Sequence, residues 1–317
     1  MANVYVQCPD DLITTSEARR NGFLEYALRR NLESEPFIDR AKALKVYLDN
    51  HSKQASDLVS LSEIRESLLE AAGLSVKAKT HLNIEDKDKL LANFIEKVLV
   101  PMGSAYKDEV VYRYLLTAGD ALGGKMRNIV GLIAKEKLTR FVIAQLNILN
   151  ADIVFYNKNW IEIDGKAIDY QSLGTIKAIK WRVLNNSSRI LIYDINVPQV
   201  RKNIDIVLME GLPKPNKMSV SVVKELLSDT SNYKVLGELK GGIDSAGADE
   251  HWKTALSALN RINTAFNKVP LIFIGAAIEP AMANEIFSLY TTDRLANCAN
   301  LTNDHQLATL CDWLVKQ

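Results

Sequence analysis

Cysteine is scarce in this chain of 317 residues: Cys8, Cys298 and Cys311 make an odd number, and no two form a Cys-x-x-Cys pair. That scarcity argues against a disulfide framework and against a zinc site built on thiolates, and it fits a reducing cytoplasm. Long apolar runs are missing as well. The longest, residues 271–278, falls well short of the roughly 18 residues that a membrane span needs. Asp10 and Asp11 stand where a secretory signal would require an apolar centre. Nor is there an excess of either charge, since 39 Lys and Arg against 38 Asp and Glu leave a net +1. Composition therefore does not announce a nucleic-acid partner. A DNA-binding chain of this composition would carry its positive charge locally and balance it with acids elsewhere. Repeats and low-complexity tracts are absent too. What remains is a 47% hydrophobic chain with enough apolar side chain for one or two cored domains.

Residues 10–115 carry helical spacing throughout. Apolar residues recur every three or four positions in 16–31, 37–48, 92–102 and 109–116, and Ser60 with Glu63 forms a capping-box pattern before a helix over 64–72 that Gly73 closes. A boundary near Leu116 separates this all-helical domain, residues 1–116, from residues 117–317, where strands and helices alternate. Gly123-Gly124 precedes a long helix over 125–146. Short strands are expected at 153–156 and 160–163, and the main ones at 189–195, 204–209 and 235–240. Residues 271–278 form a strand buried on both faces. Helices are expected over 250–266, 281–289 and 305–313, and an exposed loop with Pro213 and Pro215 over 211–218.

The chemistry concentrates in Val235-Leu236-Gly237-Glu238-Leu239-Lys240. Side chains alternate along a strand, so Glu238 and Lys240 share one face. An acid and a lysine so placed are half of a metal-dependent nuclease site. Asp205, in the apolar run 203–209, supplies the other half. A lone buried carboxylate costs about 2–7 kcal/mol without a partner, so two such strands point to a shared cation. A second Glu-x-Lys, Glu85-Asp86-Lys87, lies in a wholly polar stretch and belongs to a solvated face.

Three longer stretches carry a family resemblance: GELKGGIDSAGADEHWKTA at 237–255, YRYLLTAGDALGGKMRN at 112–128 and AGLSVKAKTHL at 72–82. Together they resemble type II restriction endonucleases of the PD-(D/E)XK superfamily, and within it the AvaI/BsoBI type. The resemblance implies an α/β restriction-endonuclease-like fold, a mixed sheet flanked by helices, with the N-terminal helical domain helping to clasp DNA. It implies Asp205, Glu238 and Lys240 as the catalytic trio and His251 as an additional member. The superfamily's usual Pro-Asp is absent, because Ile204 precedes Asp205; Glu210, on the same strand but five positions on, is the alternative first acid.

Asp205, Glu238 and the Leu239 carbonyl would then offer oxygen ligands to Mg²⁺, which favours oxygen and keeps several waters. Lys240 would meet the phosphate or the attacking water as a point charge. A histidine, with an ordinary pKa of about 6.5, suits proton acceptance near neutral pH. Asp244, in the turn after the strand, and Lys79 are implied as base readers, since a carboxylate accepts from a cytosine amino group. Lys125 and Arg127, behind two glycines at an expected helix start, make a phosphate seat. The implied function is Mg²⁺-dependent cleavage of double-stranded DNA by a homodimer at a GC-rich degenerate palindrome, with CYCGRG the leading candidate, leaving 5′-phosphate and 3′-hydroxyl ends. A structure-selective nuclease and a decayed DNA-binding protein are the rivals. Discrete plasmid bands would exclude the first, and the intact trio argues against the second.

Overall fold

The structure is a computed structural model that describes residues 3–164, 170–182, 188–211, 218–266 and 268–317, excepting the side chains of 170–172. It comprises two compact units, one of Met1–Phe23 with Val130–Gln317 and one of Leu24–Ile129.

The unit Leu24–Ile129 is helical. It holds most of α1 (Ser16–His51), then α2 (Arg65–Ala71), α3 (Val76–Lys79), α4 (Ile84–Phe94) and the first part of α5 (Tyr106–Ile148). Leu44, Leu48, Leu58, Leu68, Leu69, Leu99, Val110 and Tyr114 form its core. The expected helices 16–31 and 37–48 are one helix that accommodates Pro36. The expected capping box does not form: the Ser60 hydroxyl donates to Asp57 O at 2.8 Å. Gly73 does close its helix, at φ 91°.

A larger correction concerns residues 109–146. No break occurs at Leu116 or at Gly123-Gly124, because α5 runs unbroken for 43 residues. Val110, Tyr114, Ala118, Leu122, Met126 and Ile129 are all buried at three- and four-residue spacing, straight past the glycines. Burial of that stripe outweighs the roughly 1 kcal/mol that each helical glycine costs.

The other unit is built on an eight-stranded sheet. Its strands are β1 (Asp152–Tyr156), β2 (Glu162–Ile163), β3 (Ala178–Arg182), β4 (Arg189–Val197), β5 (Lys202–Glu210), β6 (Tyr233–Lys240), β7 (Leu271–Gly275) and β8 (Asn297–Asn300). The order is β2-β1-β3-β4-β5-β6-β7-β8. Pairing is antiparallel from β2 to β6 and parallel across β6, β7 and β8. The mixed sheet and the fully buried β7 match expectation. Strands β3 and β8 and helix α6 (Val220–Ser228) were not foreseen. The loop expected over 211–218 falls at 212–217 outside the described residues.

Helices cover both faces. On one side α6, α7 (Ser245–Ala265) and α8 (Pro280–Thr291) pack over Leu236, Phe273 and Val207, with Trp252 edge-on to Phe273 at 4.9 Å. On the other, the 134–146 stretch of α5 and helix α9 (Asp304–Val315) cover Ile206, Val235 and Ile272. Residues 3–14 are stitched to the last third of the sequence. Asn3 Nδ2 donates to Cys298 O and Gln306 O at 3.1 and 3.0 Å. Gln306 Nε2 donates to Asp11 O at 2.6 Å, and Asn300 Nδ2 to Leu12 O at 2.9 Å. The Thr14 hydroxyl donates to Ala276 O at 2.7 Å.

Candidate active site

The ladder between β5 and β6 ends at Ile206 and Gly237, whereas β6 goes on pairing with β7 as far as Lys240 and Gly275. The mouth opened by that early ending is where the charged side chains meet. Asp205 Oδ2 accepts the Leu239 N–H at 2.9 Å and also accepts from Lys240 Nζ at 2.8 Å. Lys240 Nζ donates in addition to Glu238 Oε2 at 2.7 Å. One ammonium thus ties the two carboxylates that the sequence placed on neighbouring strands. Glu210, the alternative first acid, lies at the far end of β5 and pairs with Lys234 at 2.7 Å. It is not brought to the cluster.

Burial makes these charges expensive and therefore responsive. The Glu238 side chain is only 4% exposed, and its Oε1 is buried with no hydrogen-bond partner among the described residues. Burial, and then the Asp205 carboxylate beside it, push Glu238 from an ordinary 4.5 up to about 7. For Lys240, burial works downward, but the Asp205 and Glu238 carboxylates outweigh it and hold the ammonium above its usual range.

Two glycines shape this strand. A Cβ at Gly237 would stand 2.7 Å from Ile272 O, so the close approach of β7 needs the missing side chain. A Cβ at Gly241 would stand 2.5 Å from the Ala134 Cβ and 2.8 Å from Val130 O, so α5 lies directly on the chain just after β6.

Among the described residues no group of three or more His, Cys, Asp or Glu gathers to hold a metal. The donor set on offer is smaller, the two carboxylates of Asp205 and Glu238 joined by Lys240. An unpartnered buried carboxylate oxygen next to a second acid fits an oxygen-seeking cation that retains water.

The restriction endonuclease BsobI family model matches residues 3–317. The chain belongs to the BsobI restriction endonuclease family. It is 43% identical over 321 residues to the type II restriction enzyme BsoBI of Geobacillus stearothermophilus, covering 98% of this chain and 97% of that one. It is 41% identical over 319 residues to the type II restriction enzyme AvaI of Nostoc sp., covering 98% of each. As a member of this enzyme family the chain has the restriction-endonuclease-like α/β fold expected of it.

The remaining expected residues of this BsobI-family chain lie on or beside helices. His251 is exposed in the first turns of α7 and makes no hydrogen bond among the described residues. Its Nε2 lies over Gly242 and Gly247, 3.5 and 3.3 Å from where a Cβ would sit on each. Asp244 is the N-cap of α7, accepting from Ala246 N at 2.9 Å with the rest of the residue exposed. Lys79 is largely covered, its ammonium 2.7 Å from Glu66 Oε2 and 2.8 Å from Glu70 Oε1. Lys125 pairs with Glu33 at 2.6 Å, and Arg127 is exposed. Both lie in mid-helix, so the phosphate seat loses the helix N-terminus it was to use, because the amides there already serve α5. Asp120 also lies inside α5.

Sequence reasoning missed Lys135. It is buried on α5, and its Nζ meets Asp194 Oδ2 at 3.2 Å. A signal existed: Leu138 and Val142, three and seven positions on, place Lys135 on the buried stripe of the helix.

Proposed function

We propose that this protein is a Mg²⁺-dependent, sequence-specific endonuclease. It cuts both strands of double-stranded DNA at a short GC-rich degenerate palindrome, CYCGRG being the leading candidate, and leaves 5′-phosphate and 3′-hydroxyl ends. The observation that carries the reading is the junction of Asp205, Glu238 and Lys240 at the mouth between β5 and β6, with one carboxylate oxygen of Glu238 buried and unpartnered. Full-length similarity to enzymes named as type II restriction enzymes supports site-specific cleavage.

Asp205 and Glu238, with the Leu239 carbonyl, would hold the Mg²⁺. When bound, that ion supplies charge neutralisation at the phosphate and a more acidic water. The chain's own groups do the rest. Asp205 stays fixed by the Leu239 N–H. Lys240 carries three donors, so it can keep one carboxylate and turn another N–H toward a phosphate oxygen. His251, exposed and without a hydrogen-bond partner among the described residues, is free to accept a proton from the attacking water.

Asp244 caps α7 through one side-chain oxygen, which leaves the other to meet a cytosine amino group. Lys79 reads a base only by leaving Glu66 and Glu70. Lys125 and Arg127 contact phosphates as flexible cations rather than as part of an amide nest. The helical unit Leu24–Ile129 acts as the clasp on DNA, and Met1–Phe23 with Val130–Gln317 as the nuclease domain. The working species is an intracellular homodimer.

Digestion of plasmid DNA in Mg²⁺ followed by end sequencing tests this reading. Discrete fragments with 5′-phosphates at CYCGRG are expected. Ends drawn from unrelated sequences, or undiminished cleavage by Glu238→Ala, would overturn it.

A further inference from the structure

Asp194 on β4 sits opposite Asp205 on β5. The register pairs Tyr193 with Ile206 and Ile195 with Ile204, which brackets the two acids. The residue is unusual in its backbone, with φ at 49° in the left-handed region. For a non-glycine inside a strand such a conformation is strained, and surroundings must hold it. Two lysines do so. Lys177 Nζ donates to Tyr193 O and Asp194 O at 2.6 and 2.7 Å. Lys135, buried on α5, donates to Asp194 Oδ2 at 3.2 Å, and its ammonium lies 5.3 Å from the centre of the Tyr193 ring. The Thr139 hydroxyl fixes that ring through the Tyr193 hydroxyl at 3.0 Å.

The hairpin changes faces here. Tyr193 and Ile206 pack in the core beneath α5 and α9, whereas Ile195 and Ile204, two residues along each strand, pack in the core beneath α6, α7 and α8. Strict alternation would have kept each pair on one face. A single left-handed residue turns the strand after it, and Asp205 lies at the turned position of the partner strand.

We propose that Asp194, braced by Lys135 and Lys177, is a positioning residue that aims the Asp205 carboxylate at Leu239 N–H and Lys240. This rests on the reading of Asp205 as part of the catalytic trio. The brace works through backbone conformation, so its signature is a difference between alanine and glycine at position 194. Both remove the carboxylate. Only glycine takes a positive φ without strain.

The direct readout is hydrogen exchange at the Leu239 amide in the metal-free protein, since that N–H is held by Asp205. Asp194→Ala is expected to speed this exchange roughly tenfold, and Asp194→Gly to leave it near the wild-type rate. Lys135→Met should behave like Asp194→Ala, and adding Asp194→Gly to it should restore protection. Position 194 is exposed, so the alanine–glycine comparison does not depend on whether Lys135→Met folds. Equal exchange in the alanine and glycine variants would overturn the proposal, as would a Lys135→Met defect that glycine fails to relieve. Cleavage by Asp205→Asn separates the two layers: full activity there defeats the trio reading itself, whatever the exchange experiment gives.

Discussion

Without a cation Glu238 is close to half protonated near neutral pH, and its raised pKa makes stability depend on pH with a definite sign. Its folded-state value of about 7 lies above the ordinary 4.5. The protonated form is the one the fold accommodates, so this stabilisation is complete below about pH 4.5 and is lost as pH rises toward about 7. The loss amounts to something on the order of 3 kcal/mol in metal-free protein. Glu238→Gln is expected to flatten that pH dependence and to melt higher than wild type near neutrality in chelator, while abolishing cleavage. Parallel melting curves for the two proteins across this window would show that Glu238 carries no such proton. His251 poses the opposite case, a functional group with few structural obligations. His251→Ala is expected to lower the cleavage rate by about 10²–10⁴-fold with DNA affinity retained. A variant that turns over like wild type would leave the trio to act without it.

At the scale of elements, Asp244 in the turn from β6 into α7 is a cap and, on the proposed reading, also a base reader. As N-cap it is worth about 0.5–2 kcal/mol, and as a base reader it would set about 1–3 kcal/mol of discrimination. Asp244→Asn keeps the cap and alters the hydrogen-bonding pattern; Asp244→Ala removes both. Loss of site preference in both variants, with stability lost only in alanine, is the expected result of a competition assay paired with thermal melts. Preserved preference in Asp244→Asn would confine Asp244 to capping. The sequence made β6 legible because an acid and a lysine in an apolar run obey local rules, and the apolar stripe showed most of α7, but the helix starts at Ser245 rather than 250, with Asp244 as its cap. Asp205 was legible for the same reason. Less legible were features decided by remote packing. Gly123-Gly124 looked like a helix start, yet a buried stripe continues through it. Strand β8, Asn297–Asn300, has little strand propensity of its own and exists because β7 offers it an edge. Lys135 escaped notice because its partner Asp194 lies 59 residues away.

For the whole molecule the open question is how one trio per chain cuts two strands. A two-fold pair of sites matches a two-fold palindrome. On the helical unit Leu24, Leu28 and Leu32 of α1 are 62%, 61% and 68% exposed at four-residue spacing. They form an apolar stripe along one helix face. Sedimentation of the wild type with a CYCGRG duplex is expected to show a dimer, and the triple change of these leucines to lysine should weaken it. A wild-type monomer on DNA would defeat the dimer. The seam between residues 3–14 and 276–306 bears on something different, the order of synthesis. On a ribosome the trio is complete once Lys240 has been made, yet the amides of Asn300 and Gln306 that receive the opening segment come later. A partly made chain therefore carries Asp205, Glu238 and Lys240 without His251, β7, β8 or the seam, so on the proposed assignment a host would meet working sites only from nearly finished molecules.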